Sequence, residues 1–500
     1  MNFKRILLLS SLCFILYLPS SFLRDFYQPD ETRNIYIAQN IETAGDLLVP
    51  KYLGENYYQK PPFYFWLIRP FSSKGLEGLP FIVSINIFFA LLVILINARV
   101  YFQYSKNQDT GFFAGIILAS SAIFYVMAGV VRMDMAFFAF VFLSLYFFFL
   151  SVEKENVPYA LLSGGFSFLA CFTKGGLGFF LPIFVELAYL LVLRQAKKAK
   201  YLFFSFSSAL FFLGMWFFIY YFFVDSNYLQ AMVLEQTFQR ALEPFTHQRG
   251  FWFYAPAFFA AFLPWQFLPW LWGWLIFKKK IKAGNWEKFC FVWLAAGFVL
   301  LSFIKSKMVM YLLLLSLPAA NLSARALLAG ERNAAKLIKI SLVGLAVIFT
   351  IGVIGFYSKI PHPLAAVFTA AVFLFGVLAV RNKTNPRAFY ILFFCWLAVL
   401  QVGNFIYQPY ISYSRGYKQI RDFIQGKNIT PKKIYVDSKK LLPVSIYFPD
   451  TPVNLTGQLP EDSFGSIFIS RYNIKFKPVL FLGRRGGYNI YYNNAAGNNN

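Results

Sequence analysis

The sequence predicts an all-α polytopic membrane protein of about thirteen transmembrane helices with a small C-terminal α/β domain. Composition gives the first reason: 58% of the 500 residues are hydrophobic and the mean hydropathy is +0.54, against about 45–50% apolar residues in a soluble domain. Aromatic residues reach 21%, with 64 Phe, a load that suits lipid-facing helices. The third reason is length. Apolar stretches of the ~17–25 residues needed to cross hydrocarbon fall at 5–23, 80–103, 111–130, 133–151, 157–172, 175–193, 200–224, 252–277, 286–304, 308–327, 335–357, 362–380 and 388–407. Residues 1–407 are thus expected to form the membrane domain.

The first stretch follows Lys4-Arg5 and lacks a small-residue cleavage site, so it reads as a retained helix and not a signal peptide. Cys13, Cys171, Cys290 and Cys395 all sit inside apolar stretches without metal-ligand spacing and read as packing residues. The net charge is +25. In a soluble chain this would suggest nucleic acid. Here the basic residues lie between apolar stretches, so anionic membrane lipids are the expected partners and nucleic acid is excluded.

Basic residues in short loops set orientation. With Lys4 and Arg5 in the cytoplasm, the clusters around Lys197-Lys198, Lys278–Lys280, Arg332 and Lys336, and Arg381 to Arg387 all fall inside. An odd number of spans then places the tail, residues 408–500, on the outer, non-cytoplasmic side of the membrane. Short β-like runs near Ile434–Asp437, Ser445–Phe448, Ser466–Ser470, Val479–Leu482 and Asn489–Tyr492, after a helical Arg415–Gln425, suggest a small α/β domain there.

The same topology gathers chemistry on the outer face. The first loop, 24–79, carries Asp30, Glu31, Gln59 and Lys60. Its Ile35, Ile37, Ala38 and Ile41 suggest an amphipathic helix lying on the membrane surface. Asp30 either caps that helix or, with Glu31, acts as a general base. Arg132 and Asp134 begin a helix on this face, as an anchoring ion pair or as site residues. Lys174 occupies a tight turn, where it either snorkels or holds an anion beside a helix N-terminus. The second long loop, 225–251, contributes Glu235, Arg240 and His247. Lys305 and Lys307, before Tyr311, oppose the positive-inside trend and so suit a phosphate.

The chain lacks a Walker A loop, a GxGxxG after a strand, HExxH and DxD. Nucleotide-driven chemistry is therefore disfavoured, and cations beside carboxylates suit transfer from a phosphate-linked donor on a lipid carrier. No cofactor is required by these residues. Asp30, Glu31 and His247 could hold a divalent metal, but no spacing specifies one.

At these positions the sequence resembles the bacterial lipid A 4-amino-4-deoxy-L-arabinose transferases, in the wider group of GT-C membrane glycosyltransferases that includes protein O-mannosyltransferases. The resemblance runs through Tyr27-Gln28-Pro29-Asp30-Glu31-Thr32-Arg33, Gly45-Asp46, Val49-Pro50, Lys60-Pro61, Trp66, Asp134, Thr173-Lys174-Gly175, Glu235 with His247, Phe251-Trp252, Tyr254, Lys305, Lys307, Tyr311 and Thr456-Gly457-Gln458-Leu459. It implies thirteen transmembrane helices, a periplasmic domain, and inverting transfer of a sugar from a polyprenyl (undecaprenyl) phosphate to lipid A or a related envelope glycan. It also implies Asp30 and Asp134 as catalytic carboxylates, with Lys60, Lys174, Arg240 and Tyr311 around the donor and His247 nearby. The sequence departs from the family at Gln59, where a Glu is usual, at Arg240, shifted by one place, and at Met308-Val309 in place of Leu-Pro. The sugar is therefore open between aminoarabinose, a neutral hexose and a uronic acid. Protein O-glycosylation is the alternative acceptor chemistry. A transporter of lipid-linked sugars is the alternative class, for which Glu186 is the clearest deep ionisable residue.

Overall fold

The computed structural model describes residues 2–224, 228, 230–232, 248–329, 331–356, 362–380, 385–456, 463–471, 479–485 and 487–493. Among these, nine helices are long and apolar enough to span a membrane: Phe3–Leu23, Gly75–Ser105, Asp134–Lys154, Ala196–Phe223, Asn285–Phe303, Val309–Ala329, Arg332–Ile351, Pro363–Val380 and Arg387–Ser414. A tenth is the pair Gln108–Ser120 and Ala122–Gly129, bent by 64°. The protein is thus a multi-pass membrane protein. The other three expected spans fall on weaker helices. Val157–Lys174 is rich in Ser and Gly, Leu177–Val192 has 16 residues, and the 252–277 stretch divides into Tyr254–Ala261 and Leu268–Phe277. By length and composition alone the tally is therefore nine or ten rather than thirteen.

Small residues let these helices approach closely. A Cβ on Gly178 would stand 2.4 Å from backbone atoms of Ala170 and Cys171, so Val157–Lys174 and Leu177–Val192 can pack as a tight hairpin only with glycine there. Their short turn is closed by Gly175 at φ +92°, a left-handed conformation that glycine adopts without strain. Lys174 thereby ends one helix at the mouth of the bundle. The four cysteines are buried and unpaired.

The first loop folds into helices Asp30–Gln39, Ala44–Leu48 and Phe63–Ser72. The expected amphipathic helix forms over Asp30–Gln39, but it does not lie on a lipid surface. Ile35, Ile37 and Ala38 are buried, because the helix packs between Phe63–Ser72 and the tail. Nor does Asp30 cap it: the helix has no side-chain cap, and Asp30 turns instead to two arginines.

The tail forms a five-stranded mixed sheet in the order Val453–Leu455, Ile434–Val436, Ile467–Ser470, Tyr488–Asn493, Val479–Arg485. The first three strands are parallel and the last two pairings antiparallel. Four expected strands appear. The run at Ser445–Phe448 is instead part of a 3₁₀ segment, Lys439–Tyr447, which carries Pro443 and packs against the Asp30–Gln39 helix. The expected helix at Arg415–Gln425 forms over Lys418–Gln425, and a separate helix, Gln408–Arg415, precedes it.

Asp25 joins tail and first loop. Its carboxylate accepts hydrogen bonds from the Tyr447 hydroxyl (2.5 Å), the Phe26 N–H (2.6 Å) and the Lys418 N–H (3.1 Å). A Cβ on Gly416 would lie 1.8 Å from its Oδ2, so only glycine allows the chain to pass there. Burial pushes the Asp25 carboxyl up to about 6, outweighing the donors that favour its ionised form. Because the folded pKa is raised, ionising this group costs stability as pH rises towards and through about 6. Tyr447 offsets that cost only while Asp25 is charged. Tyr447→Phe is expected to destabilise the detergent-solubilised protein by about 1–3 kcal/mol at pH 7.5. Thermal unfolding at pH 5 should show a smaller loss.

Candidate active site

Glu31 is the anchor from which the site is built. It is 1% exposed and forms a two-pronged ion pair with Arg24 at 2.7 and 2.9 Å. Its oxygens also accept the Tyr27 and Val131 N–H groups, both at 2.6 Å. Each oxygen therefore has two donors, as a buried carboxylate requires. The segment 129–132 is clamped by four side chains. Arg24 donates to Gly129 O (2.9 Å), Glu31 accepts from Val131, Asn34 donates to Val131 O (3.0 Å), and Asn86 donates to Val130 O and Arg132 O. These contacts fix Arg132 opposite the start of the Asp30–Gln39 helix.

From Arg132 runs a row of alternating charges. Arg33 pairs with Asp30 at 2.6 Å, and the other oxygen of Asp30 pairs with Arg132. Arg132 also reaches Asp134 at 3.1 Å, and Asp134 pairs with Lys174. Asp134, the first residue of its helix, and Lys174 are both buried at their side chains. The Lys174 ammonium lies 4.7 Å from the Tyr311 ring centre and 5.3 Å from that of Phe137, in range for cation–π attraction. Burial works against the charge on Arg132, but Asp134 and Asp30 outweigh it and raise its pKa.

This row lines a cavity of about 440 Å³. Gln59 and Lys60 line it from the first loop, and Arg249 and Phe253 from the end of the second. Lys307 to Met310 complete it. The last two segments are tied together: Gln248 bridges Ser306, the Arg249 N–H donates to Lys305 O (3.4 Å), and the Tyr254 hydroxyl bonds the Met308 backbone (3.3 and 3.2 Å). Among the described residues, six cationic side chains and two carboxylates line the cavity, an excess of four positive charges. Such a surface suits an anion whose charge increases during reaction.

Of the residues singled out from sequence, Asp30, Asp134, Gln59, Lys60, Lys174 and Lys307 line the cavity. Tyr311 stands behind Lys174. Glu31 does not reach the cavity, because Arg24 and two backbone donors engage it beneath. Lys305 is exposed and contributes its carbonyl. Arg240 and His247, with Glu235, lie outside the described residues. No group of three His, Cys, Asp or Glu side chains among the described residues could hold a metal ion. Arg33 and Arg249 join the site beyond the sequence selection, and Arg132, an anchor or a site residue by sequence, lines the cavity. Arg249 carried the same signal as Lys305 and Lys307, a basic residue on the face that the positive-inside rule leaves poor in cations.

Residues 59–221 match the family described as dolichyl-phosphate-mannose-protein mannosyltransferase. A protein of Aquifex aeolicus is 27% identical over 317 residues, covering 62% of this chain and 61% of its own length. An undecaprenyl phosphate-α-4-amino-4-deoxy-L-arabinose arabinosyl transferase of Pseudomonas fluorescens is 26% identical, over 60% of this chain and 52% of its own length. The enzyme of that name from Shewanella sediminis is 24% identical over 87% of this chain and 73% of its own. The first two matches thus span only about half to three-fifths of those relatives. The crystal structure of ArnT from Cupriavidus metallidurans bound to undecaprenyl phosphate superposes with a TM-score of 0.75, at 18% identity, over 99% of both chains. The fold is therefore of the ArnT type throughout, and the sequence resemblance to ArnT-like transferases stands.

The two neighbouring carboxylates should respond differently to substitution. Glu31→Ala leaves Arg24 buried without its partner and is expected to cost about 3–5 kcal/mol. Asp30→Asn, at a half-exposed pair, should stay within about 1 kcal/mol of wild type. Unfolding of the two variants in detergent checks both.

Proposed function

We propose that the protein is an inverting glycosyltransferase that moves a sugar from a polyprenyl (undecaprenyl) phosphate to lipid A, or to a related envelope glycan, on the periplasmic face of the inner membrane. The excess of four positive charges in the cavity, on a fold of the ArnT type, is the observation that carries this reading. The names of the Pseudomonas fluorescens and Shewanella sediminis relatives, which specify an undecaprenyl-phosphate sugar donor, agree with it. On this reading the N-terminus lies in the cytoplasm and the tail, residues 408–500, on the periplasmic side, as the positive-inside pattern supports.

In the reaction an acceptor oxygen attacks the anomeric carbon of the sugar. The bond from that carbon to the phosphate oxygen breaks on the opposite side, and its electron pair leaves with the lipid phosphate. A diester of one negative charge becomes a monoester approaching two. Lys60 and Lys174, with Arg132 behind, stabilise that growth of charge. Asp134 holds the Lys174 ammonium in place.

Asp30 discriminates between acceptors. Both its oxygens already accept from arginines, Arg33 and Arg132. That arrangement suits a fixed orienting charge better than a proton acceptor. A lipid A phosphate is already anionic and needs no base, whereas a Ser or Thr hydroxyl would, so the lipid acceptor is favoured over protein O-glycosylation. Transport is disfavoured because the charged groups cluster at one end of the bundle. Glu186 is held by the Ser163 and Ser205 hydroxyls at 2.9 and 3.3 Å, remote from the cavity lining.

Asp30→Asn and Lys174→Ala are each expected to abolish transfer, by 10²-fold or more on the order of a lost charge-stabilising group, while the protein stays folded. Purified variants assayed with an undecaprenyl-phosphate sugar and lipid A check this. Normal transfer by folded Asp30→Asn protein would overturn the assignment.

A further inference from the structure

Lys307 is 4% exposed and its ammonium donates to the Ile304 carbonyl. Among the described residues it has no acidic partner. Lys174, the other buried lysine of the cavity, has Asp134. Both oxygens of Asp134 and of Asp30 are already engaged by Arg33, Arg132 and Lys174. Burying a cation without a counter-ion is costly, and burial lowers the Lys307 pKa accordingly. Arg249 lines the same cavity and has only the Phe253 ring beneath it, 5.5 Å from the ring centre, with no acidic partner among the described residues. The two cations are held near each other by the Gln248–Ser306 bridge and the Arg249–Lys305 backbone bond.

Charge counting points the same way. A phosphodiester donor brings one negative charge to a cavity with four in excess. The sequence 225–247 carries three acidic residues and one arginine and cannot reverse that sign. Inverting displacement also requires attack from the side opposite the leaving phosphate. Two anions on opposite sides of one sugar repel unless each meets its own cations.

We propose that Lys307 and Arg249 form a second anion subsite, which binds the phosphate of the acceptor apart from the donor phosphate held by Lys60 and Lys174. This rests on the transferase reading and adds to it where the acceptor docks. Lys307 and Arg249 come from the 248–250 and 304–310 segments, whereas Lys60 and Lys174 come from the first loop and the Val157–Lys174 helix. An empty subsite leaves Lys307 uncompensated, and an acceptor phosphate supplies the missing counter-charge.

The test is native mass spectrometry of the full detergent-solubilised chain, titrated separately with undecaprenyl phosphate and with lipid A. In Lys307→Met and Arg249→Ala, lipid A affinity should fall tenfold or more, while undecaprenyl phosphate affinity stays within twofold. Lys307→Arg should restore lipid A binding, which a merely structural role for the lysine would not require. Lipid A stripped of its phosphates should bind wild type as weakly as intact lipid A binds the variants. Equal loss of both ligands, or loss of undecaprenyl phosphate alone, would overturn the subsite. If wild type binds undecaprenyl phosphate but not lipid A, the subsite fails while the donor half of the transferase reading survives. If wild type binds neither, the transferase reading fails and the subsite with it.

Discussion

The buried pair of Arg24 and Glu31 is the constraint on which the site depends. Two charges without access to water must satisfy each other and every remaining lone pair. Here the leftover valences go to the backbone of 129–131, so one ion pair joins the end of the first helix, the first loop and the approach to the Asp134 helix. Asp30 and Arg132 meet because of that joint. The functional charges can then be partly exposed, since the geometry is set one layer below them.

The row from Arg33 to Lys174 has a consequence for chemistry. Its carboxylates are committed to cations, so they hold positive charge in place without neutralising the cavity. Such a preorganised field needs little rearrangement as charge builds on a leaving phosphate. The departure at Gln59, which places a neutral amide at the rim, fits the same balance. It adds no negative charge to the cavity lining.

Much of this was legible in the sequence because topology alone brings distant loops to one membrane face. Asp30, Lys60, Asp134, Lys174 and Lys307 share one cavity for that reason. Glu31 lies beneath the cavity, and nothing in the sequence signals this because its partner, Arg24, sits at the end of the first span, where an arginine ordinarily reads as an anchor. The surface helix was misplaced because apolar periodicity says only that a face is covered. A neighbouring helix and the tail cover this one instead of lipid. In the tail, Ser445–Phe448 has the composition of a strand, but Pro443 and the packing of its neighbours select a 3₁₀ turn. The expected Arg415–Gln425 helix starts only at Lys418, after Gly416, where Asp25, nearly four hundred residues away in sequence, occupies the space a side chain would need. Such long-range contacts leave no local pattern.

The activity proposed for this cavity is transfer of a sugar to a phosphorylated envelope lipid. Mass spectrometry of lipid A from cells with and without the gene tests it most directly. The wild type is expected to show a species heavier by one pentose, hexose or uronic acid, lost on deletion and restored by the intact gene but not by its Asp30→Asn form. Lipid A that is identical in all these strains would contradict it.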